Sequence, residues 1–353
     1  MLSPLTGSTV RERLVLGAMF RRFLASVALV IVAAALLVVA WPGLFGVQRA
    51  PIIAQLVSLR GAAVTAALVI VVMLILLMLV NRAFRRFGSG LALIVLVFGL
   101  INVAVLATRG IGNPSFATKS GSDITVLSWN TLGDAPGAQA IAHLALETDA
   151  DVVTLPETTR ATADEVAALL AAGGHPMTVH SIAFDQISKA RSTSMLISTK
   201  LGDYRVDQTP GSTSTLPSIV ARPSDGSGPT IVAVHAVSPI PTELNRWKSD
   251  LRWLSTLCTA NTIMAGDFNA TLDHMVGLAR SGKNFGDCTD AAASTGNAAV
   301  GTWPTTLPAL IGAPIDHVMT TASWRVTGMR VIENEDTAGS DHRPIVAQLQ
   351  HAN

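Results

Sequence analysis

The chain has 353 residues, enough for two or three domains of ordinary size, and 49% of them are hydrophobic while only 14% are charged. The charges are unevenly distributed. Residues 1–109 hold ten Lys and Arg against one acid, whereas residues 110–353 hold 15 Lys and Arg against 23 Asp and Glu, a net charge of −8. An acidic domain suits a nucleic-acid backbone poorly, which weighs against a general nuclease but does not exclude one, because a bound divalent cation reverses the local field.

Three apolar runs occupy the first third of the chain, at residues 23–41, 61–80 and 91–107. Each is close to the roughly 20 residues that a helix needs to cross a bilayer, and none shows the polar stripe of a soluble core helix. We therefore predict three transmembrane helices within residues 23–109, after an N-terminal segment of residues 1–22. The third run is the shortest and contains Asn102, so it fits the pattern least well.

The arginines predict the orientation of these helices. Four precede the first run and three lie between the second and third, whereas the loop between the first two has only Arg49 and Arg60. Because positive residues stay inside, we predict a multi-pass protein of the cell membrane with a cytoplasmic N-terminus and an extracytoplasmic domain after about Arg109. The first run could instead be a cleaved signal peptide, but its length and the two runs behind it argue against cleavage.

The remainder of the chain has the pattern of a soluble domain. Residues 110–122 are rich in Gly, Ser and Pro and are interpreted as a linker. Residues 123–353 mix strand and helix patterns without strict alternation, as in the strand "DITVLSWN" and the amphipathic helix "TELNRWKSDLRWLSTLC". This mixture predicts an α/β (α+β) fold in which sheets are covered by helices.

Polar side chains collect at the ends of six apolar segments of this domain. One such residue is usually a turn or a cap, but six together are costly unless they are exposed or paired with one another. We therefore interpret them as one candidate site: Asn130, Glu157, His235, Asp267 with Asn269, Asp316, and Asp341 with His342.

The segment "TIMAGDFN" shows the pattern most clearly. We predict that the chain turns at Gly266 and that Asp267 and Asn269 face one pocket, with Phe268 directed into the core, since strand residues two apart point the same way. A simple turn is the alternative, because Asp, Asn and Gly are all turn residues.

The residue types at these ends fit one chemistry. Carboxylate oxygens suit Mg²⁺ or Mn²⁺, and no Cys or His pair has zinc spacing. Neutral His235 and His342 could donate to a phosphoryl oxygen, and Asp316 could fix a histidine tautomer. With Asp267 taking a proton from water and Asn269 orienting a phosphate, the set predicts metal-assisted attack of water on phosphorus.

The ordered pieces "SWN", "LPE", "VH", "GDFN", "IDHV" and "SDHRPI" resemble the endonuclease/exonuclease/phosphatase superfamily over about residues 123–350. The resemblance implies a DNase I-like, four-layered β-sandwich flanked by helices, with the site at one edge and a divalent metal, usually Mg²⁺. Carried over, it implies metal binding by Glu157, Asn130 and Asp341, with the remaining residues catalytic: His235, Asp267, Asn269, Asp316 and His342. The family commonly has Gln before its glutamate, where this chain has Pro156, so a local change of geometry is expected.

A narrower likeness is to actinobacterial membrane phosphoesterases related to the teicoplanin-resistance protein VanJ. It rests on the three N-terminal spans, on "HAVSPIP" and on "GTWP", although Ala236 stands where those proteins often have proline. It implies an extracytoplasmic hydrolase acting on a phosphorylated envelope lipid or glycolipid, or on a lipid-linked pyrophosphate. The alternatives are a surface nuclease, for which Trp303 could be a stacking platform, and a non-catalytic scaffold with the same fold.

The two cysteines, Cys258 and Cys288, both lie in the predicted extracytoplasmic domain. That compartment permits a disulfide, and two cysteines allow only one internal pairing. We therefore predict a bridge between them, with two free cysteines as the alternative.

Overall fold

A computed structural model describes residues 6–280 and 282–352. Helices in this part of the chain are α1 (Thr6–Ala40), α2 (Ile53–Ser58), α3 (Arg60–Val80), α4 (Arg85–Arg109), α5 (Gly137–Glu147), α6 (Arg160–Ala172), α7 (Leu244–Leu257), α8 (Leu272–Met275) and α9 (Ala291–Thr295). Strands are β1 (Ile124–Ser128), β2 (Val152–Pro156), β3 (Met177–Ala183), β4 (Ser192–Ser198), β5 (Tyr204–Val206), β6 (Ile219–Pro223), β7 (Thr230–His235), β8 (Thr262–Asp267), β9 (Thr289–Asp290), β10 (Asp316–Thr320), β11 (Trp324–Val331) and β12 (Ile345–His351).

The three predicted apolar helices are present. Three segments are long and apolar enough to cross a membrane, Glu12–Ala40, Arg60–Val80 and Arg82–Arg109. Each helix starts earlier in the sequence than the predicted apolar run, because polar and charged residues before the run are also helical. The difference is largest in α1. The helices pack through a small apolar cluster that includes Ala67 and Phe98.

The rest of the chain forms a sandwich of two six-stranded mixed sheets. One sheet has the order β11-β12-β1-β2-β4-β3 and the other β5-β6-β7-β8-β10-β9, with β1 parallel to β2 and β7 parallel to β8. A core of alternating apolar residues fills the space between the sheets. Helices α5 and α6 cover the first sheet, and α7 covers the second. The predicted four-layered α/β sandwich is confirmed.

Each sheet contains one parallel pair, β1 with β2 and β7 with β8, and the carboxyl ends of these four strands lie at the same edge of the sandwich. In the second sheet the ends of β7 and β8 are in register, with His235 opposite Asp267, and Asp316 at the start of β10 pairs with Asp267 from the other side. In the first sheet β1 and β2 end together, so Asn130 and Glu157 follow neighbouring strands. The topology thus collects the polar strand ends at one edge of the sandwich.

Residues 110–122, interpreted from their composition as a linker, contain no helix or strand but are held on the sandwich. The backbone N–H of Gly112 donates to Gly296 at 3.1 Å, and that of Ala117 donates to Thr327 at 3.0 Å. Lys119 forms ion pairs with Asp149 and Asp151. The segment therefore fixes the end of α4 against the domain.

Cys258 and Cys288 are joined as a disulfide with Cα atoms 5.8 Å apart. The bridge ties the end of α7 to the loop before β9. Of the two arrangements that the sequence allows, the structure has the bridge.

Candidate active site

The eight predicted site residues all lie at the edge where the strand ends meet. Asp267 is at the centre and is almost completely buried. Its Oδ2 atom accepts hydrogen bonds from Asn130 Nδ2 and Asn269 Nδ2, each at 3.1 Å, and lies 3.8 Å from His342 Nε2. Asn130 Nδ2 also donates to Glu157 Oε1 at 3.2 Å, so one amide links the two carboxylates.

The side chains of Asp267 and Asn269 meet, as a shared site requires, but the backbone path differs from the predicted one. Strand β8 continues through Gly266 and ends at Asp267, whereas Asn269 lies beyond it with φ of 46°, in the left-handed region. The predicted turn at Gly266 is wrong. Gly266 is instead a point of close approach, because a Cβ atom there would lie 2.0 Å from the carbonyl oxygen of Val234 on β7.

The turn after the strand brings the amide back to the carboxylate. The N–H of Asn269 donates to Asp267 Oδ1 at 2.7 Å, and Phe268 between them is fully buried, as predicted. The turn that we considered as an alternative to a shared pocket is thus the means by which the pocket forms.

His342 and Asp316 form a close pair within the site. His342 Nδ1 lies 2.8 Å from Asp316 Oδ2. Burial alone would lower the pKa of His342, but the carboxylates of Asp316 and Asp267 raise it to about 10. His342 is therefore an imidazolium at neutral pH, and the prediction that it would be neutral is wrong because the sequence did not show how many carboxylates surround it.

His235 differs from His342 although both are buried. Burial lowers the pKa of His235 to about 3, with a smaller contribution from the charge of His342, so the ring is neutral as predicted. Its Nδ1 atom hydrogen-bonds to Thr193 Oγ1 at 3.0 Å, and its Nε2 atom lies 3.9 Å from Glu157 Oε1. The two histidines thus offer one neutral ring and one cation to the same space.

The remaining carboxylates are also perturbed by burial. Burial raises the pKa of Asp267 to about 7, against the opposing charge of His342, and it raises the pKa of Glu157 as well. Glu157 follows Pro156 in the left-handed region, with φ of 58°. That turn directs the Glu157 carboxylate towards Asn130 and His235. It is the geometry that this chain has next to Pro156, the position where the family commonly has Gln.

Three side-chain atoms of the site are buried and have no hydrogen-bond partner among the described residues, namely His235 Nε2, Asp316 Oδ1 and Asp341 Oδ1. Buried polar atoms are almost always paired, so such atoms at one edge indicate room for a ligand. Asp341 Oδ2 does have a partner, the Trp303 indole N–H at 2.9 Å.

The donor set fits a hard divalent cation. Carboxylate oxygens such as those of Glu157 and Asp341 are the ligands that Mg²⁺ or Mn²⁺ prefers, and Asp341 Oδ1 has no partner in the part of the chain that the structure describes. Asn130 fits less simply, because its Oδ1 atom already accepts the N–H of Leu132 at 3.0 Å and its amide nitrogen faces the carboxylates.

A second group, Asp267, Asp316 and His342, has ligand atoms within 4.8 Å of one another. The carboxylates on either side raise the pKa of His342 and favour its protonated form, and its Nδ1 atom is already paired with Asp316 Oδ2. The cluster thus consists of a histidine between two carboxylates, next to the carboxylates of Glu157 and Asp341.

Sequence reasoning missed the residues that hold the site together. Thr193 at the start of β4 contacts His235, and Ser340 Oγ donates to the Asn130 carbonyl at 2.6 Å while accepting the His342 N–H at 3.0 Å. Trp129 Nε1 donates to the His342 carbonyl at 2.9 Å. Ser340 and Trp129 stand inside the quoted segments "SDHRPI" and "SWN", so their position beside functional residues was the available signal.

His317 lies next to Asp316 but serves the structure. Its two ring nitrogens contact Asp290 Oδ2 at 2.7 Å and the Ala270 carbonyl at 2.8 Å. Burial would lower the pKa of His317, but Asp290 raises it. Both nitrogens are therefore occupied, and His317 is not free to act at the site.

Comparisons with known proteins agree with this geometry. Among solved structures, an endonuclease/exonuclease/phosphatase from Beutenbergia cavernae superposes with a TM-score of 0.51 at 19% identity, covering 66% of this chain and 72% of that one. The AP endonuclease LMAP from Leishmania major gives 0.51 at 15% identity, over 70% and 95% of the two chains. A humanized TDP2 from D. rerio gives 0.50 at 15% identity, over 65% and 100%. These similarities establish the fold.

A search of curated proteins gives no match. The profile of the Endonuclease/Exonuclease/phosphatase family matches residues 127–342, from β1 to His342, and so includes every one of the eight site residues. Members of this family are phosphodiesterases and nucleases and generally depend on a divalent metal. The chain belongs to the Endonuclease/Exonuclease/phosphatase family.

Proposed function

We propose that this chain is a membrane-anchored, divalent-metal-dependent phosphoesterase whose catalytic domain lies outside the cytoplasm and hydrolyses a phosphate ester of an envelope lipid. The observation that carries the proposal is the buried contact set around Asp267, with Asn130, Asn269 and His342 all within 3.8 Å of its Oδ2 atom. His235 Nε2 and Asp316 Oδ1, which have no partner within residues 6–280 and 282–352, lie at the same edge.

Asp267 is the proposed general base. Its Oδ2 atom accepts the proton of an attacking water, and the amides of Asn130 and Asn269 hold the carboxylate in one orientation. A base fixed by two amides loses little entropy when the water binds, so its orientation contributes to the rate. Asn269 Nδ2 also donates to the Ala236 carbonyl at 2.9 Å, so both of its amide hydrogens serve to hold the base in place.

His342 and His235 are the proposed stabilisers of the phosphoryl group. The Asp316 carboxylate holds the His342 imidazolium so that its Nε2–H can donate to a non-bridging oxygen as negative charge develops there. Neutral His235, held by Thr193 through Nδ1, presents Nε2 to the same group. The two rings act without moving, because each is fixed through its other nitrogen.

Glu157 and Asp341 would hold the metal ion, and Asn130 could add its second amide-oxygen lone pair. The ion, Mg²⁺ or Mn²⁺, would supply Lewis-acid stabilisation of charge on the phosphoryl oxygens. The charge of the bound ion would also offset the crowding of four carboxylates at one edge.

The lipid substrate is proposed from the position of the site. The first residue of α3 and the last residue of α4 contact the catalytic domain directly, through the ion pairs of Arg60 and Arg109 with Asp273. If α1, α3 and α4 cross the membrane with the N-terminus inside, the site lies at the outer membrane surface. The segments "HAVSPIP" and "GTWP", on which the narrower likeness to VanJ-related phosphoesterases rests, each contribute a residue to a cavity beside α2. These residues are Pro239 and Trp303.

A surface nuclease is the second candidate, because structures with the same fold include an AP endonuclease. The domain's net charge of −8 opposes a long nucleic-acid backbone. A short or single phosphodiester is compatible with that charge.

Hydrolysis of small phosphate esters by the purified full-length protein tests the proposal. We expect turnover of bis(p-nitrophenyl) phosphate or p-nitrophenyl phosphate with Mg²⁺ or Mn²⁺, its loss with EDTA, and its recovery when the metal is restored. Turnover of lipid phosphates but not of DNA or RNA would support the lipid class. Efficient cleavage of DNA or RNA with no cleavage of lipid phosphates would replace it with the nuclease.

A further inference from the structure

A cavity of about 350 Å³ lies where the membrane helices meet the catalytic domain. One wall is formed by Gln55, Ser58 and Leu59, at the end of α2 and immediately before α3 begins at Arg60. The other wall includes Ile240 and Trp303 of the catalytic domain. A volume of this size is within the range of small-molecule sites.

The inner end of the cavity reaches the proposed catalytic residues. Asn269 lines the cavity and also donates to Asp267 Oδ2 at 3.1 Å. Trp303 lines it and donates to Asp341 Oδ2 at 2.9 Å. The cavity and the phosphate site therefore share two side chains, and a molecule could occupy both at once.

The outer end has the character of a membrane interface. Helix α2 buries Ala54 and Val57 against the protein, whereas Ile52 and Leu56 remain 71% and 47% exposed. Ile240 across the cavity is 49% exposed. Exposed apolar side chains on a short helix beside the ends of apolar spans are typical of a surface in contact with lipid.

Hydrogen bonds join the two walls. Arg49 Nη1 donates to the His274 carbonyl at 2.5 Å, and His274 Nε2 contacts the Ala54 carbonyl at 2.9 Å. Gln55 Nε2 donates to the Pro239 carbonyl across the cavity mouth. The loop between the first two apolar helices is therefore part of the site wall and not a free connection.

The lining residues favour a hydrocarbon over other ligands. None of them carries a formal charge, and the walls are largely apolar. Resting on the proposed phosphoesterase function, we infer that this cavity binds the part of a hydrocarbon chain nearest the phosphate of an amphipathic phosphate ester. The phosphate lies at Asp267 and Asn269, and the rest of the chain extends past α2 into the outer leaflet.

Binding of two brominated alkyl phosphates to the full-length protein in one detergent tests this inference without catalysis. The probes are 12-bromododecyl phosphate and 3-bromopropyl phosphate, which share a headgroup and differ in chain length. The readout is saturable quenching of the tryptophan fluorescence that is lost in Trp303→Phe, so that quenching of other tryptophans is subtracted. We expect the long probe to bind at least tenfold more tightly, since burial of two methylenes already accounts for roughly tenfold.

Ile240→Lys should raise the Kd of the long probe about tenfold and leave that of the short probe unchanged, because it places a charge in the chain path. Ile187→Lys is the matched control, since Ile187 is 61% exposed and does not line the cavity. Equal Kd values for the two probes, or equal effects of the two lysine variants, would overturn the inference. Because the readout is binding, a protein that binds the long probe but hydrolyses no ester would reject the proposed function alone.

Discussion

Two buried polar clusters in this protein look alike in composition but differ in how completely they are paired. The junction cluster consists of Asp273 with Arg60, Asn102 and Arg109. Arg60 makes a bidentate pair with both oxygens of Asp273, at 2.8 and 2.9 Å, and Arg109 adds a third contact at 2.8 Å. The site cluster around Asp267 instead keeps unpartnered atoms on His235, Asp316 and Asp341 among the described residues.

The difference separates a structural cluster from a functional one. In the junction cluster the two arginines hold the pKa of Asp273 well below its usual range, against the effect of burial, and Arg60 also donates to Asn102 and to the Ala40 carbonyl. In the site cluster, burial raises the pKa of Glu157 and Asp267. A fully paired cluster fixes the ends of the apolar helices on the domain, whereas a partly paired one leaves atoms for a ligand.

The largest loss of activity is expected from a change at Glu157, the proposed metal ligand. Glu157→Gln removes a charge from the proposed cation ligand but keeps its shape, so activity should fall about a thousandfold or more. The midpoint of a Mg²⁺ titration, followed as the rise in Tm with metal, should shift to higher concentration. An unchanged midpoint would place the ligand elsewhere.

The junction cluster should respond in stability and not in chemistry. Arg60→Met leaves Asp273 with one buried partner and should cost about 3 kcal/mol in the free energy of unfolding, because breaking a buried pair leaves a charge uncompensated. Arg160→Met is the matched control, since it removes the exposed partner of Asp164 and should cost about 0.5 kcal/mol or less. Similar effects of the two variants would mean that the junction cluster does not hold the fold.

The disulfide stabilises the same domain by another route. Joining Cys258 and Cys288 closes a loop with a sequence separation of 30, for which chain entropy predicts a contribution of about 4 kcal/mol. The double variant Cys258→Ala/Cys288→Ala should therefore unfold at lower temperature. Reductant should lower the Tm of the parent and leave the double variant unchanged.

A smaller effect is expected from the amide beside the base. Asn269→Gly removes the amide but keeps a residue that tolerates the left-handed backbone, so kcat/KM should fall roughly 10- to 100-fold with little change in Tm. Asn284→Gly is the control variant. It removes a loop amide that accepts the Asp290 N–H and forms no hydrogen bond with Asp267. Equal losses in the two variants would indicate a general effect of loop amides.

The sequence predicted the sandwich and the polar strand ends because both depend on local pattern. The segment "DITVLSWN", predicted as a strand, contains β1, and Phe268 is buried as predicted. The path of Asn269 was missed, because a left-handed residue after a strand leaves no trace in the alternation of apolar residues. The segment after β8 is both a turn, the alternative interpretation, and the means by which Asn269 contacts Asp267.

Contacts between distant parts of the chain could not be predicted. Asn102 made the third apolar run the poorest match to a transmembrane helix. In the structure its buried side chain accepts a hydrogen bond from Arg60. Arg60 in turn pairs with Asp273, which is 213 positions away in the sequence. Thr193 and Ser340 likewise contact residues that approach only in the folded sandwich. Single-sequence patterns show which residues are polar, but not which of them will be paired.

The most direct test of the account is a side-by-side measurement of turnover and Tm for Asp267→Asn and Asp273→Asn, using a soluble phosphodiester and the full-length protein. Asp267→Asn should lose about a hundredfold or more in kcat with an unchanged or higher Tm, because it removes a buried base that is held by amides. Asp273→Asn should lower the Tm by several degrees and keep kcat within about threefold, because it breaks pairing at the junction cluster alone. Parent-like turnover in Asp267→Asn would contradict the assignment of the site cluster as the catalytic centre.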